Sequence, residues 1–312
     1  MQEKVVKITK RSTFSKGKKF FKQWQLIAMV IPGVLLVLIF NYGPMYGALI
    51  AFQNYSPYKG ILGSDWVGFK YFKMFLGNPM IWRLMKNTLL LGVVSLIFSF
   101  PAPIVLALLM DQIRSIKFKK VVQTISYLPY FISTIVVVAL LKEVVSIDGP
   151  INSLITLFGG EAKPFMSQPQ WFRTLYVGSG IWQSVGWGTI IYLAALSNVD
   201  PQLVEAAVID GANRWQRVRY ISWPAIVPTT TIMLIFAIGG ILGNDYQKIL
   251  LMYTPGTYST SDVISTYVYR EGILGGSHEY STAIGLLTNV VSFILLILAN
   301  QISKTVSENS LW

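Results

Sequence analysis

The stretch Val199–Pro224, VDPQLVEAAVIDGANRWQRVRYISWP, decides how the rest of the chain is read. It carries Glu205, Asp210, Arg214, Arg217 and Arg219 between two long apolar segments that hold almost no charge. Asp200 suits an N-cap, because its carboxylate can accept backbone N–H bonds, and Pro201 suits the first helical position. Leu203, Ala206, Ala207 and Ile209 or Asp210 then recur at helical spacing. Gly211 supplies the left-handed residue that ends such a helix. A second short basic helix, residues 213–221, is expected to run up to Pro224, where a new apolar segment begins. The stretch therefore reads as a helix–glycine–helix hairpin at a membrane surface. A small apolar and acidic knob stands clear of basic residues that face lipid head groups.

Working outward, the 312 residues are 53% hydrophobic and 13% charged. That charge content is about half that of a soluble domain. The mean hydropathy is +0.52, as in a polytopic membrane protein. The net charge of +12 would suggest nucleic acid in a soluble protein. Here the positive residues cluster at segment ends and read as topology signals and lipid contacts. Cysteine is absent and His278 is the single histidine, placed in a loop. Disulfides, thiolate or histidine metal clusters and cysteine nucleophiles are thereby excluded.

Six spans are expected, at about 25–50, 87–110, 121–141, 173–196, 223–243 and 281–301, each close to the roughly 20 residues a bilayer needs. Prolines at 32, 44, 101, 103 and 129 interrupt the first three. Residues 1–24 form a basic arm interleaved with Phe14, Phe20, Phe21 and Trp24, an interfacial anchor ahead of the membrane domain, 25–312. With the arm inside, the inner segments hold 16 Lys and Arg and the longer outer ones 10. Both termini and the 199–222 hairpin are therefore expected in the cytoplasm. The outer segments, about 51–86, 142–172 and 244–280, are rich in turns and aromatics. They are expected to form short surface helices that could receive an extracellular protein.

Glu205-Ala206-Ala207, Gly211, Ile221 and Trp223-Pro224, at their spacing, resemble the EAA loop of membrane subunits of binding-protein-dependent ABC importers. The family has Leu where this chain has Trp223. The likeness extends over most of the chain and looks nearest to the carbohydrate-importer branch. It implies an all-α type I importer permease with six transmembrane helices in a bacterial cell membrane. It also implies a second, similar permease, two ATPase subunits and an extracytoplasmic solute-binding protein as partners. The solute would be an oligosaccharide. In that family the EAA helix sits in a groove on the ATPase. The resemblance thus assigns coupling to Glu205, Ala206, Ala207, Asp210, Gly211 and Arg214.

The residues themselves agree with a path driven from outside the bilayer. No phosphate-binding loop is present: Gly17-Lys18-Lys19 has Ser12 where a glycine is needed, and no strand precedes it. No catalytic, cofactor or metal site is expected. Asp111, Lys142, Glu143 and Asp245 fall at segment ends, which disfavours a proton-coupled carrier. Asp65, Asp148 and Asp262 are scattered singly, which disfavours a membrane-embedded transferase. Ser281, Gly285, Thr288 and Ser292 share a helix face, and Gly239 and Gly243 form a small-residue pair. Both patterns suit tight helix packing. Trp182, Gln183 and Trp187, among glycines 178, 180, 186 and 188, could alternatively line a sugar path, with Asn244 and Asn289 as further polar groups along it.

Overall fold

The computed structural model describes residues 24–307 and 311. The basic arm expected over 1–24 lies, Trp24 apart, outside the described residues. The chain falls into two units, residues 1–49 and 50–312. In the first, helix α1 (Trp24–Val37) runs through Pro32 and passes into a π turn, Leu38–Tyr42, directly ahead of Gly43-Pro44. The wider turn sits where the missing N–H of Pro44 interrupts the ordinary ladder.

In the second unit, a two-stranded antiparallel ribbon pairs Gln53 with Trp66 and Asn54 with Asp65. Then come α2 (Ile81–Ser99) and α3 (Pro101–Asp111), and α4 (Ile116–Tyr127) and α5 (Thr134–Val144). The long helix α6 (Pro169–Leu196) follows. The hairpin supplies α7 (Pro201–Ile209) and α8 (Arg214–Arg217). The chain ends with α9 (Trp223–Gly239), α10 (Tyr246–Met252) and α11 (His278–Ser307). Short helices such as Lys70–Leu76 and Ile264–Tyr269 fill the expected outer segments. His278, expected in a loop, opens α11.

Among the described residues, four helical stretches are long and apolar enough to cross a membrane: Trp24–Phe52, Ile81–Asp111, Arg214–Gly239 and His278–Thr305. A fifth arises if Ile116–Phe131 and Thr134–Val144, bent by 103°, act as one span. The expected span at 173–196 lies in α6, whose 28 residues reach about 42 Å. Its serines, glycines and Gln183 make it less apolar than the others. The fold is all-α, as expected, and roughly compatible with six crossings.

Helix α6 is central, packing on α2, α3, α4 and α9. Its glycines explain how. A Cβ on Gly186 would run into the backbone at Ser126, and one on Gly188 would come within 2.9 Å of Pro103. Three apolar clusters are stacked along the bundle. Tyr71, Phe75, Leu84 and Ile284 mark one end; Leu91, Val138, Phe172 and Ile249 lie next; Ile104, Tyr192 and Ile226 mark the end near the hairpin. Of the expected glycine pair, Gly239 packs against Leu296, while Gly243 lies in the turn after α9.

Candidate functional site

The hairpin follows its sequence closely. The Asp200 carboxylate accepts the Gln202 N–H at 2.9 Å, with Pro201 in the first turn. Gly211 has φ +79°, and the Ala212 N–H returns to the Ala207 carbonyl at 2.8 Å, closing the helix end. Asn213 and Gln216 form a reciprocal capping box, with bonds of 2.8 and 2.9 Å. One expectation is corrected. The basic helix does not stop for a new segment at Pro224. Helix α8 passes through a π turn, Val218–Ser222, straight into α9. The Trp223 N–H bonds to the Val218 carbonyl. The π turn again falls just before a proline and absorbs the donor it lacks.

The hairpin root is held from within the chain. The Ser222 hydroxyl donates to Asp111 Oδ2 at 2.7 Å, the Gln112 amide donates to the same oxygen at 2.9 Å, and Arg217 Nη2 donates to Gln112 Oε1 at 3.4 Å. The knob itself projects. Glu205, Ala206, Asp210, Gly211 and Arg214 are exposed and Ala207 is half-buried. Ile209 is 85% exposed and Trp215 74%. A cleft of about 250 Å³ lies between the two hairpin helices, lined by Ala206, Ala207, Asp210, Gln216 and Tyr220.

The polar residues expected along a solute path are partly brought together. Gln183 lines a cavity of about 260 Å³ with Ser95, Ser99, Ser184 and Lys248. Asn244 lines a second, of about 410 Å³, which shares Ser95, Ser99 and Tyr176 with the first. Asn289 lines a third, of about 520 Å³, beside Ser281, Gly285 and Thr288, and Gly243 borders both the second and the third. The two tryptophans border none of the three. Trp187 stacks on Tyr130 with centroids 4.5 Å apart at the bend between α4 and α5, and Trp182 is 48% exposed. Gln183 also has a structural duty. Its amide donates to the Ile132 carbonyl at 3.0 Å, satisfying a group freed by the same bend.

Sequence reading missed Lys248. It is only 4% exposed, and its ammonium donates to the Tyr176 carbonyl at 3.1 Å, above that ring. Burial pushes it down to about 8, against an upward pull from Asp245. The Asp245 carboxylate is occupied in capping α10, accepting the Lys248 N–H at 3.1 Å. The pattern Asp245-x-x-Lys248 after Gly243-Asn244 was the available signal. It reads as a capped surface turn until Tyr176 is seen to cover it.

Residues 87–308 match the family described as binding-protein-dependent transport system inner membrane component. The chain belongs to that family. It is 45% identical to Protein LplB of Bacillus subtilis (strain 168) over 92% of this chain and 91% of that one. It is 43% identical to the polygalacturonan/rhamnogalacturonan transport system permease protein YteP of the same organism, over 94% and 92%. Its fold matches the crystal structure of a bacterial ABC transporter that imports the acidic polysaccharide alginate. The TM-score is 0.83 at 40% identity, covering 93% of this chain and 98% of that one. A second alginate transporter structure, in complex with its alginate pentasaccharide-bound periplasmic protein, matches with TM-score 0.84 at 39% identity, over 94% and 99%. The likeness first drawn from Glu205 to Pro224 therefore holds. This is a multi-pass membrane permease subunit of an ABC transporter, not an enzyme.

Proposed function

We propose that this subunit forms the path for an oligosaccharide delivered by an extracytoplasmic binding protein, and that a separate ATPase drives it through the 199–222 hairpin. The complex would hold a second homologous permease and two ATPase subunits in a bacterial plasma membrane. Both termini would face the cytoplasm, with the 1–24 arm on lipid and 25–312 as the permease domain. The observation that carries the coupling reading is the knob. Its caps and root are fixed within the chain, yet Glu205, Ala206 and Ile209 project into solvent. Small residues allow close approach of a partner, Glu205 offers an acceptor to a basic or N–H donor, and Ile209 offers apolar area. The sugar assignment is supported by the polar cavities around Gln183, Asn244 and Asn289 and by what the relatives' names say they carry.

The test is Glu205→Ala and Gly211→Val, made separately. Each is expected to insert normally but to lose ATPase co-purification or binding-protein-stimulated hydrolysis, and with it uptake. Gly211→Val forces a left-handed conformation costing roughly 1–2 kcal/mol. Wild-type attachment, stimulation and uptake in both variants would sink the coupling role.

A further inference from the structure

A separate cavity opens at the end of the bundle opposite the hairpin, where α2 and α6 begin. It holds about 540 Å³ and is lined by Trp82, Arg83, Lys86, Asn87, Arg173 and Thr260. Its charge is unbalanced. No acid lines it among the described residues, and Asp262, the acid that pairs with Arg83 at 3.7 Å, is buried and already shared: Arg270 bonds both its oxygens, at 3.3 and 3.1 Å. Among the described residues, Lys86 and Arg173 form no ion pair. Arg173 Nη2 donates to Asn87 Oδ1 at 3.2 Å, while its Nε is sealed from solvent without a partner. Asn87 is held in turn, its amide donating to the carbonyls of Ser259 and Asp262 at 3.1 and 3.0 Å. The guanidinium is thus held in place through Nη2, with its Nε shut inside the protein.

Arg173 is half-buried without a counter-ion, which costs stability, and the exposed Lys86 adds to the positive field beside it. A ligand anion would offset that cost. Arginine and lysine together fit a carboxylate through charge-assisted hydrogen bonds. The volume says what carries it. Cavities of about 300–1,000 Å³ take small molecules, whereas one acidic side chain from a docked protein would leave most of this space empty. Trp82, 76% exposed, offers an indole face for the C–H face of a sugar ring.

We propose that this cavity binds a uronate residue of an acidic oligosaccharide, its carboxylate on Arg173, Lys86 and Arg83 and its ring against Trp82. The proposal rests on the reading of the chain as an oligosaccharide path and narrows its solute to the acidic class.

The test uses the purified importer in zwitterionic nanodiscs, with trigalacturonate and its neutral methyl ester as probes. The wild type is expected to bind the acid about tenfold tighter than the ester, a preference that fades as salt rises. Lys86→Gln, at an exposed position, should erase most of that preference at an unchanged thermal midpoint, and Arg173→Gln should erase it while also shifting the midpoint, because its bond to the buried Asn87 goes with it. Trp82→Ala should weaken both probes. Equal binding of acid and ester, or a preference retained in both charge variants, overturns the proposal. So does loss of the acid's binding on adding phosphatidylglycerol, which would make the occupant a lipid phosphate. Failure of the loaded binding protein to stimulate hydrolysis in the wild type would instead sink the transport reading itself.

Discussion

The Ser222 hydroxyl lies 2.7 Å from Asp111 Oδ2, joining the start of α9 to the end of α3 at the root of the hairpin. Both groups are close to the cytoplasmic mouth expected from charge. The bond is charge-assisted, and Ser222 is buried. Ser222→Ala should therefore cost about 1–3 kcal/mol. It should lower the thermal midpoint of the complex and reduce binding-protein-stimulated hydrolysis. A double cycle with Asp111→Asn checks the assignment, since the two losses should not add. Full additivity would show that the bond carries no coupling.

Gly186 sets the distance between α6 and the helix before the bend. A side-chain carbon there meets the backbone of Ser126 and Tyr127, which cannot move aside as a flexible side chain could. Gly186→Ala is expected to destabilise by about 1–3 kcal/mol and to lower the yield of assembled complex. Gly178→Ala, with nothing within 4 Å, is the matched control and should be neutral or slightly stabilising. Equal yields of the two variants would contradict the packing.

Gln183 and Trp182 separate path from scaffold. Gln183→Ala removes the donor to Ile132 and a polar wall of the Lys248 cavity, so uptake should fall and the thermal midpoint should drop. Trp182→Ala should lower uptake without moving the midpoint if the indole meets solute. Unchanged uptake kinetics in Trp182→Ala would return that residue to lipid or subunit packing.

Lys248 gives a pH signature. Its ordinary value is 10.5, and burial lowers it to about 8. Below the lower value the amine is charged in both folded and unfolded chains. Between the two values the folded chain has released a proton that the unfolded chain still holds, so stability from this group rises with pH. The slope is at most about 1.4 kcal/mol per pH unit. The wild-type-minus-Lys248→Met difference in thermal midpoint should therefore move in favour of wild type from about pH 8 to about pH 10. A flat difference would mean the amine is not desolvated.

Topology is open to direct labelling, because the chain has no native cysteine. A cysteine at Asn213 should resist an impermeant maleimide in intact cells, while cysteines at Lys59 and Lys163 should react. Labelling at 213 from outside would invert the orientation.

The hairpin was legible in sequence because its signals are local. Asp200 and the Asn213–Gln216 pair bond within a few residues, Pro201 opens the helix and Gly211 takes the left-handed turn that ends it, so spacing alone carries them. Apolar length likewise determined an all-α membrane fold, since a bilayer demands long helices that satisfy their own backbone. The rest depended on packing between distant segments. Only the tertiary structure turned Lys248 inward under Tyr176, tied Ser222 to Asp111, and gathered Arg83, Lys86 and Arg173 from two helices around one cavity. It also stacked Trp187 on Tyr130 at the bend, and ran the basic helix through Pro224 by way of a π turn. Periodicity reports which face of a helix is apolar, but not which neighbour that face will meet, and cavities are made of neighbours.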